Sequence, residues 1–465
     1  MGWDIEAPRQ SVDERKAYGK SLRESTPRSS HAEWSPTSDR PDSIALIEGQ
    51  NDGRLQRLVP VRRGRMVESA FTFYRGAALI MASDLSSTPT TGLTAQICGD
   101  AHLSNFGAYG SAERELVFDV NDFDESLAGP WEWDLKRLAT SFTIAGRHLG
   151  FDDADIAKVT ATSVEQYRTA MEQFAEGSTL DVWYSHLSID DVATFYREEK
   201  KKKKAKKARK IAKKARSKNS LQALSKLAEL VDGTYQIKSD PPVLVPLRDA
   251  SHFASPDELK ETARRSFDLY RESLRPDRRV LLDKFRPIDI ALKVVGVGSV
   301  GTRCLILLLE GRDEQDPLFL QIKEAGPSLL EGYLPESPYE NHGERVVQGQ
   351  RLMQASSDIF LGWSLATDGR DYYWRQLRDW KGSFDVDDAD EKGLRRYAQL
   401  CGWTLARSHA RSGDPAAIDG YLGSSDTFDE AITEFANRYA DQNESDYQKF
   451  ADAINRGDLE ADFED

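Results

Sequence analysis

Residues 99–106 read Gly99-Asp100-Ala101-His102-Leu103-Ser104-Asn105-Phe106, the densest polar cluster of the chain. A short apolar segment, Leu93 to Cys98, leads into it. After a loop, Glu115 to Val120 has a strand's composition and runs into Asn121-Asp122-Phe123-Asp124-Glu125. Phosphoryl transfer needs these groups: one carboxylate accepts the proton of an attacking hydroxyl, while an amide and a second carboxylate hold Mg²⁺ on the phosphates. Asp100 is the candidate base. Asn105 and Asp122 are the candidate metal ligands, with Asp124 beside them, and hard oxygen donors of this kind suit Mg²⁺. His102 is the second candidate catalytic residue. With the nearby carboxylates it would also suit a metal-dependent hydrolase, a reading that leaves later features of the chain unused. The plain alternative is a polar turn with helix caps.

A second motif lies far downstream. Gly296-Val297-Gly298-Ser299-Val300-Gly301 separates two strand-like segments, Asp289 to Val297 and Arg303 to Glu310. A glycine string opening a helix would suggest a dinucleotide fold. Here β-branched and apolar residues follow, so the expectation is a strand–turn–strand whose backbone amides approach phosphates closely. Lys323 ends the next apolar strand, Leu318 to Ala325, and needs an anion, which the nucleotide phosphates would supply; a snorkelling surface lysine is the alternative. Glu344, on a helix expected at 341–356, is the candidate partner of Lys323, with Gln348 one turn on. Strands follow at Phe360 to Ala366 and Tyr372 to Leu377, and Arg375 in the second is a candidate nucleotide contact. Arg65 and Arg75, ahead of the first cluster, are candidate phosphate clamps or structural ion-pair residues.

The first cluster resembles the Gly-Asp-x-His-x-x-Asn catalytic loop of aminoglycoside-phosphotransferase-type kinases. In that family a strand then ends at a metal-binding Asp, and an Asp-Leu pair opens the next helix about a dozen residues on. Asp122 and Asp134-Leu135 match this better than Asp119 does. Cys401-Gly402-Trp403-Thr404-Leu405-Ala406-Arg407-Ser408-His409-Ala410 is similar to the helix that normally precedes such a loop. His409 is expected to be structural. The resemblance implies an α+β, protein-kinase-like fold of two lobes, circularly permuted so that the catalytic loop precedes the glycine-rich lobe. Because termini often lie on surfaces, such a permutation is physically reasonable.

Beyond these motifs, Arg62 to Met66, Phe73-Tyr74-Arg75-Gly76-Ala77, Gly129-Pro130-Trp131-Glu132-Trp133-Asp134-Leu135-Lys136-Arg137-Leu138-Ala139 and Arg345 to Trp363 make the chain similar to the uncharacterised bacterial DUF2252 family. The expected organisation is an extended arm (1–60), a helical lobe with the catalytic loop (61–286), a β-rich nucleotide-binding lobe (287–380), and C-terminal helices completing the helical lobe (381–465). Helices are expected at 131–149, 152–174, 391–412 and 427–454, and from 66 to 85. The expected activity is ATP- and Mg²⁺-dependent transfer to an unknown hydroxyl acceptor, or nucleotide binding without turnover in a pseudokinase.

Composition narrows the partners. A net charge of -14 argues against nucleic acid. The Lys-rich stretch 200–218 reads as a solvated helix rather than an anion site. Cys98, Cys304 and Cys401 follow no metal-ligand spacing, which predicts a reducing compartment. Met1 to Glu6 carries no leader-like pattern and no apolar run reaches span length, so the expectation is a cytoplasmic protein.

Overall fold

The computed structural model describes residues 10–189, 212–249, 256–294, 296–377 and 380–463. Its architecture is α+β. Trp131–His148, Asp153–Glu176, Glu391–Ala410 and Thr427–Asn455 are the long helices. Their apolar faces meet in one core that includes Leu135, Leu138, Phe142, Tyr167, Leu405 and Phe435. The spacing of apolar residues at three and four positions makes these helices legible. Glu391–Ala410 lies along Asp153–Glu176, and Gly402 lets them touch: a Cβ there would stand 2.2 Å from the Ser163 carbonyl oxygen. Gly402→Ala is therefore expected to cost about 1–3 kcal/mol through overpacking, read as a lower urea midpoint.

Of the strands expected from residue 289 on, four hold closely, while the first runs Arg286–Lys293 rather than Asp289 to Val297 and ends before the glycine turn. A six-stranded antiparallel sheet runs, in spatial order, Gly362–Leu365, Asp371–Gln376, Pro317–Ala325, Cys304–Glu310, Arg286–Lys293 and Leu244–Pro246. The helix His342–Met353 connects Pro317–Ala325 to Gly362–Leu365. The sixth strand lies before the expected boundary at 287, and helix Pro256–Ser273 also packs on the Gly362–Leu365 strand. The β-rich unit thus draws residues from the segment expected to be helical. Leu244–Pro246 is short and ends in Pro, which suits an edge strand and escapes a periodicity reading.

Two smaller strand pairs position the candidate site. Thr94–Ile97 pairs with Leu127–Pro130, and Phe106–Gly110 pairs with Leu116–Val120. The segments 98–105 and 121–126 are the connections between these pairs. With Ile97 opposite Leu127 and Phe106 opposite Val120, both connections leave at neighbouring points. Two polar clusters separated in sequence must therefore meet.

The N-terminal region departs from the expected extended arm: residues 10–60 contain the helices Val12–Ser21 and Ser43–Asn51. Ser11 and Glu14 form a reciprocal capping box, with bonds of 3.1 and 2.7 Å. The region does lie against the domain, since Arg23 and Arg28 donate to the carbonyls of Gly420, Tyr421 and Leu422. Its packing partner is distant in sequence, so little periodicity is visible locally. The helix expected over 66–85 is three short helices, Val59–Val67, Ala70–Gly76 and Ala78–Leu85, with Ser69 capping the second.

His31 of this region is fully buried and shares a 2.8 Å hydrogen bond with the Tyr421 hydroxyl. Burial, with Lys136 nearby, pushes its pKa down to about 3. The unfolded chain therefore binds the extra proton between pH 6.5 and 3, and stability falls on acidification through that window. The His31 contribution is up to about 1.4 kcal/mol per pH unit. Urea unfolding at about pH 7 and about pH 5 should show this slope reduced in His31→Gln.

Candidate active site

Asp100, His102 and Asn105 are locked by their own loop. Backbone N–H groups of His102 and Asn105 donate to the Asp100 and His102 carbonyls, and Asn105 Nδ2 donates to the Asp100 carbonyl at 2.8 Å. Gly99 has a φ of +78°, and a Cβ there would lie 2.5 Å from the Glu125 carbonyl oxygen, so both conformation and space demand glycine. The Asp134 carboxylate accepts from the N–H groups of Cys98 and Gly99 at 2.8 and 2.9 Å. His409, buried and 3.3 Å from the same carboxylate, supports it. The Asp that opens the helix is thus a brace under the loop, and His409 is structural.

One oxygen of Asp100 accepts from Arg137 at 2.9 Å (Nε) and 2.8 Å (Nη2), while the other lies 3.7 Å from His102 Nε2. Burial raises the Asp100 pKa in spite of Arg137. His102 is held well below its ordinary value by burial and by Arg137 and Arg75, so it is a neutral imidazole.

The second connection brings Asp122 and Asp124 to the same place. Lys323 Nζ donates to Asp124 at 2.5 Å and stands 3.7 Å from Asp122. Tyr373 donates its hydroxyl to the other oxygen of Asp124. Burial and Asp124 raise the Asp122 pKa; for Asp124 the effect of burial is outweighed by Lys323 and Tyr373, and its carboxyl is lowered. Burial would lower the Lys323 pKa, but the two carboxylates hold it well above its usual value. Asp119 stands apart from this group. Fully buried, it pairs with Arg407 and accepts from the Ala355 N–H.

Two cavities adjoin here. One, of about 420 Å³, is lined by Asp100, His102, Asn105, Asp122, Asp124, Gly296 and Gly298 among others. The other, of about 380 Å³, is lined by Asp122, Gly296, Lys323 and Arg375 among others. They share Asp122, Gly296 and Ser299. Gly296 has a φ of +68°, and its carbonyl accepts from Arg65 at 2.6 Å. Arg375 donates to Gln321 at 3.0 Å and to the Asn121 carbonyl at 3.1 Å.

The structure thus brings Asp100, His102, Asn105, Asp122, Asp124, Gly296, Gly298, Lys323 and Arg375 to one pair of adjoining cavities. Gly301 lines neither; its carbonyl accepts from the Leu55 N–H at 2.7 Å. Glu344 is likewise elsewhere and accepts from Gln348 at 3.3 Å. The expected Lys323–Glu344 pair is replaced by Lys323–Asp124, because the next residue, Arg345, is the one turned inward. Asp124, for its part, has both oxygens engaged rather than free for a metal. The Lys-rich stretch lies outside the described residues up to 211; at its end Ala212 and Ala215 are buried in the main core.

The family described as an uncharacterized protein conserved in bacteria (DUF2252) matches residues 54–453. The chain belongs to the DUF2252 family. No curated protein and no solved structure matches it. The matched span of this DUF2252 chain takes in both polar clusters, the glycine turn and Lys323.

Three residues of the DUF2252 site have roles that sequence reasoning does not assign. Arg137 holds Asp100, and Tyr373 holds Asp124. Arg345 donates to the carbonyls of Asp124, Ser126 and Gly326 at 2.8, 2.8 and 2.9 Å, tying the helix His342–Met353 to the acidic connection. The signal that could reveal them is charge in an apolar context. Arg137 sits among Leu135, Leu138 and Ala139, and Arg345 precedes Val346-Val347, and a charged side chain in such surroundings needs a partner. Among the described residues no helix is long and apolar enough to cross a membrane.

Proposed function

We propose that this DUF2252 protein is an ATP- and Mg²⁺-dependent phosphotransferase acting on a hydroxyl acceptor, with a protein-kinase-like fold in permuted order. The observation that carries this reading is Lys323. A strand–glycine turn–strand unit precedes its strand, and its ammonium meets Asp124, 199 residues upstream, and Asp122 beside it. In an ordinary kinase the same parts follow one another, with the glycine turn first and the catalytic loop and metal-binding Asp last.

Asp122 and Asn105 fit a hard cation. Asp122 keeps 33% of its side chain open and has a like-charged neighbour in Asp124, so a divalent cation would relieve a repulsion already present. Among the described residues no three or more His, Cys, Asp or Glu are grouped to hold a metal alone. Phosphate oxygens and water would complete the shell, the usual arrangement for Mg²⁺. When bound, Mg²⁺ supplies charge neutralisation on the phosphates.

The protein's own residues do the rest. Asp100 accepts the acceptor's proton on the oxygen that Arg137 leaves open, and its burial-raised pKa brings it closer to the working pH of a base. Lys323 and Arg375 attract the phosphates, and the turn 296–298 covers them. The full chain should be stabilised by ATP only when Mg²⁺ is present, and should release ADP once an acceptor is supplied.

A second reading, a nucleotide-binding pseudokinase, is favoured by one observation: Arg137 already holds Asp100, and Lys323 already faces Asp122. It predicts the same stabilisation with no ADP across a broad panel of hydroxyl compounds.

A further inference from the structure

The 420 Å³ cavity is lined by three arginines as well as by acids: Arg54, Arg62 and Arg75, all from the chain just before the first polar cluster. Each acid there already has an ion-pair or hydrogen-bond partner, with Asp122 and Asp124 sharing Lys323. Asp100 holds Arg137, Asp124 holds Lys323, and Asp122 faces Lys323. Glu324 meets Arg303 and Arg370, and Glu125 accepts from the Leu329 N–H.

The arginines are not so matched: among the described residues none of the three has a carboxylate within ion-pair distance. Arg62 is 1% exposed, yet it donates only to neutral oxygens, those of Asn51, Gln50 and Gly76. Arg54 donates to the Val300 carbonyl at 2.6 Å. The Arg75 side chain makes no hydrogen bond among the described residues and lies 5.9 Å from the Phe71 ring centre. The Nε of all three is buried without a partner. An uncompensated buried guanidinium is strongly unfavourable. Three of them around one cavity are matched by an oxyanion, whose oxygens accept from forked donors.

The phosphates of a nucleotide have Lys323 and Arg375 in the neighbouring cavity and reach this one at Asn105 and the 296–298 turn. The arginines instead share their cavity with Asp100, where the acceptor hydroxyl has to lie. We propose that Arg54, Arg62 and Arg75 bind a phosphate group carried by the acceptor, so that the substrate is a phosphorylated hydroxyl compound. The anion site itself is read from the arginines alone; only its assignment to the acceptor rests on the phosphotransferase reading.

The test is calorimetry on the full chain with inorganic phosphate, glucose 6-phosphate and malate as probes, and separately with ATP and Mg²⁺. Phosphate and the sugar phosphate are expected to bind one per chain, with malate weaker by about tenfold or more. Tighter binding of the sugar phosphate than of free phosphate would mark a substrate's ester rather than a free-phosphate site; the reverse order would overturn the acceptor assignment. Arg75→Gln, which breaks no hydrogen bond, should weaken both by about tenfold or more and leave ATP affinity within about threefold. If that variant unfolds, Arg75→Lys, which keeps charge but not the fork, is read in the same way. Equal binding of malate, or unchanged phosphate affinity in the variant, overturns the site. A parallel fall in ATP affinity reassigns the arginines to the nucleotide and overturns the acceptor assignment. Failure of the wild-type chain to bind ATP, with phosphate binding intact, sinks the phosphotransferase reading and leaves the anion site standing.

Discussion

Asp100→Asn should lower phosphoryl transfer by about 10²–10⁴-fold, the range of a lost general base, with little change in affinity for ATP and Mg²⁺. The substitution keeps the side chain's size and one carbonyl oxygen for Arg137, but an amide cannot take up the acceptor's proton. Arg137 is 3% exposed in its side chain and would lose its ion pair, so some stability is lost as well. Activity must therefore be measured under conditions where denaturant unfolding shows the variant folded. Stoichiometric ATP binding separates lost chemistry from a lost site. Turnover equal to that of the native chain would remove Asp100 from the role given to it.

Lys323→Met should have the largest effect on stability. The methionine fills the lysine's volume but leaves Asp124 and Asp122 facing each other with no cation between them. Asp124 keeps 29% of its side chain open and Asp122 33%, so the loss should sit at the low end for a broken buried pair, about 3 kcal/mol. Mg²⁺ should restore part of it, because the freed carboxylates gain affinity for a divalent cation. Urea midpoints with and without Mg²⁺ check this: the increment from the ion should be larger in Lys323→Met than in the native chain. ATP binding should be lost in the same variant. An equal Mg²⁺ increment in both proteins would place the ion away from Asp122 and Asp124.

The parts of the molecule legible in its sequence are those in which a residue's neighbours lie close along the chain. The strands Cys304–Glu310 and Pro317–Ala325 announce themselves by apolar, branched runs with turn residues between them, and Glu391–Ala410 by its helical spacing. The family resemblance prefers Asp122 over Asp119, and the structure keeps the two apart, one at the cavities and the other in a buried pair with Arg407. Pairings across long separations are not legible. Lys323 meets Asp124 at a separation of 199 residues, and no periodicity encodes that choice over Glu344. The same holds for Val12–Ser21, whose packing surface, Pro415–Leu422, lies at the other end of the chain. Arg75 stands out in the sequence as a charge within an apolar stretch, but only the fold turns it, with Arg54 and Arg62, toward the cavity that holds Asp100.

The most direct test is a structure of the full chain with a non-hydrolysable ATP analogue and Mg²⁺. The metal is expected on Asp122 and Asn105 and the triphosphate between the 296–298 turn and Lys323, with the terminal phosphate facing Asp100. A nucleotide bound on another surface, or a metal held by neither Asp122 nor Asn105, would rule out the phosphotransferase site.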